Sequence, residues 1–375
     1  MKIGAIAPSH IPSNTANSIQ VMKVCQALAQ LGHTVKLWVP GQTTTPWEQL
    51  SGYYGVTTPF EISWLPLQPN LKRYDLALSG VNRAAGWQAD LVYTWMPQAA
   101  VYAQVRGLPV VLEVHDRPTG KLGPWLLRRT VNMRGCKRLA IITRALVRVL
   151  EQEFDLPIPP EKVVIAPDGV DLERYDALPD APSAREMIGL PPQQLTAVYT
   201  GHLYAGRGIE LLLGLAQAFR QVHFLLVGGN PQSVENCRKQ AALAGLTNLT
   251  FTGFVENQRL ALYQAAGDIL LMPYGRIIAG SSGGNTADIC SPMKMFEYMA
   301  AGRAILSSDL PVLREVLNDS NAAFCAADEL DSWKKGFQAL LNDPARRQVI
   351  GMQAKIDAQG YSWKSRAEAT IANLV

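Results

Sequence analysis

Residues 196–227 read TAVYTGHLYAGRGIELLLGLAQAFRQVHFLLV. The apolar run Thr196–Thr200 stops at a glycine-rich loop, an amphipathic stretch follows near Gly208–Arg220, and a second apolar run covers His223–Val227. Short apolar runs of this kind are the pattern of strands buried on both faces, and the stretch between them has helical periodicity. A strand–helix–strand unit reads as part of a parallel sheet with both faces covered.

The same alternation runs outward in both directions. Strands are expected at Lys2–Ala7, Val35–Val39, Leu91–Trp95, Val110–Val114, Leu139–Thr143 and Val163–Ala166, with a helix over Ser18–Leu31 ended by Gly32. A proline-rich polar stretch from Asp176 to Pro192 reads as a linker carrying a short helix near Ala184–Ile188. Beyond it, Leu249–Thr252, Ile269–Met272 and Ala304–Ser307 continue the strands, with helices near Pro231–Ala244 and Gln258–Ala266. A length of 375 residues fits two domains at roughly 100–200 residues each. The expected division is 1–175 with 362–375 crossing back, and 176–361. No short repeat period is visible, so a solenoid is excluded.

Composition removes several classes. Hydrophobic residues make up 48% and charged residues 18%, which excludes wholesale disorder. The net charge of +4, from 35 basic and 31 acidic side chains, gives no argument for nucleic acid. No apolar run reaches the ~18 residues of a membrane span, and the N-terminus reads as a first strand instead of a signal peptide. A cytoplasmic location is the expectation. Five widely spaced cysteines without a CxxC pair argue against a disulfide framework and a zinc site.

In doubly wound sheets ligands sit beyond the carboxyl ends of the strands. That directs attention to the loops Pro8–Asn17, His115–Gly123, Gly201–Gly208 and Pro273–Ser291, and two such halves facing each other would form an interdomain cleft. In GHLYAGRG, Gly201, Gly206 and Gly208 permit close backbone approach, and His202 and Arg207 bring basic groups to a helix N-terminus, a setting for a diphosphate. The spacing does not match the GxGxxG dinucleotide fingerprint. In ICSPMKMFEYMAAGRAIL, Ser291 and Pro292 read as a helix cap and first helical residue. Lys294 then falls in the first turn, where a cation opposes the helix dipole unless an anion binds there. Glu297, one turn on, can accept hydrogen bonds from a ribose diol; the alternative is a surface Lys–Glu pair. Gly253 follows a strand, so the backbone of Phe254 and Val255 can read a nucleobase edge.

Taken in order, these segments resemble those of retaining glycosyltransferases with the GT-B fold, of the family-four, group 1 type. APDGVDLERY at 166–175, GHLYAGRG and SPMKMFEYMAAGRAI each resemble a family hallmark. So do the opening SNTANSIQVMKVCQALAQLGHTV, the LEVHD loop and the C-terminal YSWKSRAEATIANLV. The resemblance implies two Rossmann-like doubly wound parallel-sheet domains and transfer of a hexose from a nucleotide-diphosphate sugar with retained configuration. It implies no metal and no cofactor beyond that co-substrate. It places Arg207 and Lys294 on the diphosphate and His115 near the transferred sugar as the catalytic set. Asn17, Ser18, Gly201, His202, Phe254, Val255, Asp288, Ser291 and Glu297 fall on the donor, and Asp116 and Arg117 on the acceptor side.

The chain departs from the family pattern in three places, the first being an opening loop that lacks the common paired glycine. His202 stands where an arginine is usual. Ile289 stands where the first glutamate of a Glu-x7-Glu pair is usual, so Asp288 or backbone must serve the sugar. A UDP-sugar, UDP-glucose first, is the favoured donor, although backbone reading of the base leaves guanosine and adenosine open. The acceptor is expected to be a sugar or a lipid-linked group. A GT-B sugar-nucleotide epimerase and a non-catalytic nucleotide-sugar-binding protein are the competing readings. Residues 117–148 carry nine basic side chains and no Asp or Glu, with Trp125, Leu126 and Leu127 among them. That composition suits weak contact with an anionic membrane surface, unless the apolar residues are core. The loop Pro273–Ser291 is expected to be mobile over the donor sugar.

Overall fold

The apolar runs assemble into two separate parallel sheets. The structure, a computed structural model, describes residues 1–204, 206–278 and 284–374. Two compact units result: Met1–Asp168 with Trp363–Val375, and Gly169–Ser362.

In the first unit the chain runs β1 (Lys2–Ile6), α1 (Ala16–Gln30), β2 (Thr34–Pro40), α2 (Trp47–Tyr54), β3 (Glu61–Leu65), α3 (Tyr74–Gly86), β4 (Leu91–Thr94) and α4 (Pro97–Val105). It continues through β5 (Val110–Val114), α5 (Gly123–Asn132), β6 (Cys136–Ile141), α6 (Arg144–Glu153) and β7 (Val163–Ile165). The strand order is β3-β2-β1-β4-β5-β6-β7, every pair parallel. Order reverses between β1 and β4, so a crevice opens beyond their carboxyl ends.

The second unit runs α7 (Ala181–Met187), β8 (Thr196–Thr200), α8 (Ile209–Ala218), β9 (His223–Val227), α9 (Pro231–Leu243), β10 (Leu249–Gly253), α10 (Asn257–Ala265) and β11 (Ile269–Met272). After these come α11 (Met293–Ala301), β12 (Ala304–Ser308), β13 (Ala323–Cys325), α12 (Leu330–Asn342) and α13 (Pro344–Ala358). Its order, β10-β9-β8-β11-β12-β13, repeats the first pattern and reverses between β8 and β11. The last helix, α14 (Trp363–Ile371), belongs to the first unit and packs on α1.

Central strands are buried along their length, as β4, β5, β8, β9 and β11 show. A strand covered on both faces excludes polar side chains, which is why these segments read as plain apolar runs. Edge strand β3 is only half-buried, mixes polar with apolar residues and escaped that reading; so did the three-residue edge strand β13. Strand β6 starts at Cys136, ahead of the apolar run, and ends at Ile141 because Thr143 turns out to cap α6, its side chain accepting from the Leu146 N–H. The first boundary between units falls at Gly169, before the proline-rich stretch. Val170 pairs with Ser362, and Arg174 donates to Asn257 Oδ1 at 2.6 Å, which ties the 170s to the second unit.

Candidate active site

In the second unit the loops after β8 and β11 meet at the switch point with backbone against backbone. A side chain at Gly206 would lie 2.3 Å from the Ile277 carbonyl oxygen, and one at Gly208 would lie 2.2 Å from that of Pro273. Both glycines also hold positive φ, 83° and 71°. The Gly275 N–H donates to the Gly206 carbonyl at 3.1 Å and joins the two loops. Residues 279–283, the centre of the expected mobile loop, lie outside the described residues, as does Ala205.

Two cations occupy this crevice on a shared aromatic wall. Lys294 Nζ sits 3.9 Å from the ring centroid of Tyr199 and 5.3 Å from that of Tyr274. The Arg207 guanidinium lies 5.0 Å from the Tyr274 ring and 4.9 Å from Tyr204, whose hydroxyl accepts from Nη2 at 2.6 Å. Gly201 makes room for the lysine: a Cβ there would come within 2.9 Å of Nζ. Among the described residues, neither Lys294 Nζ nor Arg207 Nε has a hydrogen-bond partner, although both atoms are enclosed. The lysine stem is partly exposed while its head is shut away from water. Burial, reinforced by the charge of Arg207, drives the Lys294 pKa well below the lysine range, with Glu297 opposing. Burial also opposes the Arg207 charge, but the surrounding tyrosines favour it and the guanidinium stays protonated.

Among the described residues these two enclosed basic groups form no ion pair, with Glu297 opposing the Lys294 shift only from a distance, so their charge is poorly balanced. It is the arrangement expected of a site that takes a dianion from solution. His202 adds no charge to it: burial first, then Arg207 and Lys294, lowers its pKa below the usual imidazole value. Its carbonyl accepts from the Tyr199 hydroxyl at 2.7 Å, so it shapes the wall.

Helix α11 starts one residue later than the sequence suggests. Pro292 takes the cap position, Met293 is the first helical residue, and Ser291 lies before the helix, buried. Lys294 and Glu297 do not pair with each other among the described residues. Instead Gln264 Nε2 donates to Glu297 Oε2 at 3.1 Å, and the Tyr175 hydroxyl donates to Gln264 Oε1 at 2.8 Å. Gln264 is fully buried and works as a strut behind the carboxylate. The Tyr298 hydroxyl accepts from the Thr200 N–H at 2.7 Å and locks α11 to the end of β8. Ile289 is fully buried, so its side chain belongs to the core, while the neighbouring Asp288 is exposed. At the end of β10, Gly253 has φ 71°, Phe254 is 48% exposed and Val255 is half-buried.

The first unit carries its own crevice, a cavity of about 960 Å³ whose lining includes Asn17, Trp95, His115, Asp116 and Arg117. His115 follows β5, with Nε2 2.8 Å from Glu113 Oε2. Glu113 is completely buried and also receives Arg366 from α14 as a fork, Nη1 to Oε1 at 2.7 Å and Nη2 to Oε2 at 2.8 Å. The Tyr93 hydroxyl donates to Oε1 as well. Burial alone would raise the Glu113 pKa, but Arg366 and His115 hold it far below the carboxylate range.

Two of the expected ligands in this unit have other occupations. Ser18 is fully buried inside α1, its hydroxyl donating to the Ser13 and Thr15 carbonyls at 2.6 and 2.8 Å and so bracing the opening loop. Thr15 caps that helix, leaving Asn17 exposed at the cavity. Arg117 reaches Glu153 with Nε and Nη2 at 3.0 and 3.2 Å, while its own N–H donates to Asp116 Oδ1 at 2.8 Å. In the basic segment the two readings divide by residue. Trp125 and Leu122 are 58% and 57% exposed beside exposed Lys121, Arg128 and Arg129, whereas Leu127 is core. Among the described residues no helix is long and apolar enough to cross a membrane, and no group of three or more His, Cys, Asp or Glu side chains could hold a metal ion.

Glu113, Arg366, Gln264, Tyr199, Tyr204 and Tyr274 were not singled out from sequence. The signal for Glu113 was present, since a carboxylate inside the run VVLEV contradicts a strand buried on both faces.

Two Rossmann-like parallel-sheet units of this topology are those of the GT-B class, and comparison with known proteins agrees. Residues 18–174 match the family model Glycosyltransferase Family 4, and residues 194–343 match Glycosyl transferases group 1. The chain belongs to the group 1 glycosyltransferases, which transfer a sugar from a nucleotide sugar. It is 25% identical to a phosphatidyl-myo-inositol mannosyltransferase of Mycolicibacterium smegmatis over 97% of this chain and 90% of that one. It is 26% identical to a 2-deoxystreptamine glucosyltransferase of Streptomyces kanamyceticus over 68% and 74%. Among solved structures, HepE of Anabaena in complex with UDP superposes with a TM-score of 0.74 at 18% identity, over 100% of this chain and 99% of that one.

Proposed function

We propose that the chain transfers a hexose, with retention, from a UDP-sugar to a sugar or lipid-linked acceptor, UDP-glucose being the first donor to test. The observation that carries this reading is the enclosed, poorly balanced pair Arg207 and Lys294 at the switch point of the second sheet. Cleaving the bond between the anomeric carbon and the diphosphate leaves negative charge on the leaving group. Fixed cations beside it stabilise that charge as it grows. Glu297, braced by Gln264, takes the ribose hydroxyls, and Phe254 and Val255 take the base. With Ile289 in the core, the donor sugar is held by Asp288 or by backbone. The acceptor hydroxyl attacks the anomeric carbon as the diphosphate leaves, and its proton passes to a diphosphate oxygen, so the products are the glycoside and a protonated nucleoside diphosphate. The chemistry uses no metal and no cofactor beyond the co-substrate. Support for uridine comes from the Anabaena HepE structures, which were solved with UDP and with UDP-glucose.

The exposed Trp125 and Leu122 among basic side chains give the first unit a face suited to anionic lipid, consistent with a lipid-linked acceptor. The reading is tested by thermal shift with UDP, GDP and ADP and their sugar conjugates, on the wild type and Glu297→Ala. A ligand at ~100 times its Kd adds about 2.7 kcal/mol of stability. A shift with uridine nucleotides alone, lost in the variant, is expected; no shift with any of them would overturn the reading.

A further inference from the structure

His115 faces the cavity of the first unit with one ring nitrogen committed and the other free. Its ring is 22% exposed, Nε2 meets Glu113, and Nδ1 has no hydrogen-bond partner among the described residues. Which nitrogen carries the proton decides whether the cavity meets a donor or an acceptor.

Glu113 settles that choice. Its two oxygens take both arms of the Arg366 fork and the Tyr93 hydroxyl, all of them donors. Arginine has no acceptor and does not lose its proton in proteins. A carboxylate surrounded in this way is ionised, and an ionised carboxylate only accepts. The contact with His115 is therefore Nε2–H donating to Oε2, and in a neutral ring the Nδ1 lone pair is the one left for the cavity that the residue lines.

The support reaches through the unit to the end of the chain. Arg366 is buried on α14 and is separated from Glu113 by 253 residues. Its Nε donates to the Pro167 carbonyl at 2.8 Å and Nη2 to that of Ala166 at 3.0 Å. Four acceptors fix the guanidinium plane, which fixes the carboxylate, which fixes the imidazole. An apolar replacement of a buried ion pair is often as stable or more so, so burial stability alone does not require this pair.

We propose that Glu113 and Arg366 are positioning residues that lock His115 in the Nε2–H form and present Nδ1 as the acceptor for a sugar hydroxyl bound in this cavity. The inference rests on the glycosyl-transfer reading for its substrate, but not for the tautomer, which is measurable in the free protein.

Glu113→Gln tests it. The Gln carbonyl would keep one arm of Arg366 and turn its amide N–H towards His115, forcing Nε2 to accept and moving the proton to Nδ1. Long-range ¹H–¹⁵N spectra of imidazole-labelled protein should show His115 as Nε2–H in the wild type and Nδ1–H in the variant. With the donor and acceptor that the wild type uses, kcat should fall by about tenfold, the loss of one hydrogen bond to the sugar, while KM for the nucleotide sugar stays within about threefold. If Glu113→Gln does not fold, Glu113→Met with Arg366→Met removes both charges together. That double variant should fold, lose the single tautomer and show the same drop in kcat. An Nδ1–H wild type, or an unchanged tautomer and kcat in a folded variant, overturns the proposal. If the wild type turns over no donor, the glycosyl-transfer reading fails while the tautomer result still stands or falls alone.

Discussion

Replacing Lys294 by methionine should leave the protein at least as stable as before and remove its hold on the donor. The ammonium is enclosed and makes no hydrogen bond among the described residues. An unsatisfied buried donor costs about 1–3 kcal/mol, more when charged. Its contact with the Tyr199 ring at 3.9 Å returns about 2 kcal/mol for a desolvated cation–π pair. Methionine fills a similar volume, and its sulfur recovers ~0.3–1.5 kcal/mol against the same rings. With central values of about 2, 2 and 1, the balance favours Lys294→Met by roughly 1 kcal/mol. In a unit spanning Gly169–Ser362, that raises the melting midpoint by about 2–4 °C.

Donor binding moves the other way. Charge-assisted hydrogen bonds lost to the diphosphate are worth about 1.5–3 kcal/mol, so the Kd for UDP should rise roughly 10- to 150-fold. The pH dependence carries a further sign. Burial and Arg207 lower the Lys294 pKa in the free protein, and a bound dianion restores the proton. Between the lowered value and the ordinary lysine value of about 10.4, wild-type binding takes up a proton, so affinity falls as pH rises. The unfolded chain binds more protons than the folded one in that window, so wild-type stability rises with pH and the advantage of the methionine narrows. Calorimetry in buffers of differing ionisation enthalpy, with melting curves across pH, reads both effects. A variant more than ~2 kcal/mol less stable than wild type, with UDP binding unchanged, would make Lys294 a structural residue and refute the argument.

Two other outcomes follow from the same geometry. Gln264→Leu removes the strut behind Glu297, so UDP should bind about tenfold more weakly, the loss of one hydrogen bond to a charged group. A 2′,3′-dideoxy analogue should bind both proteins alike; equal losses for the two ligands would place Glu297 away from the ribose. The exposed Trp125, Lys121, Arg128 and Arg129 should carry the protein to the top of a flotation gradient with anionic vesicles at low salt, at ~1 kcal/mol per basic residue near the surface. Trp125→Ala should weaken that binding, and absence of wild-type flotation would remove the lipid-facing role.

Much of the fold was legible because burial writes itself into composition. Thr196–Thr200, His223–Val227 and Ile269–Met272 carry the observed strand limits in sequence, since a strand covered on both faces admits almost nothing polar. The half-exposed β3 and the short β13 lacked that signature. Gly206 and Gly208 marked the loop whose backbone meets that of Ile277 and Pro273, and Lys294 was conspicuous because a cation in the first turn of a helix opposes the dipole.

Sequence by itself therefore determined the doubly wound class and the residues that bring basic groups to the switch point of the second sheet, because apolar periodicity, glycine geometry and charge placement are local properties. Tertiary structure decided what those charges face. Only folding sets Lys294 and Arg207 on the shared Tyr274 ring, puts Gln264 behind Glu297 and consigns Ile289 to the core. Only folding brings Arg366 onto Glu113 across 253 residues. Hydrogen bonds and charges act over a few ångströms of space, and no local pattern in the chain records which distant residue will occupy them.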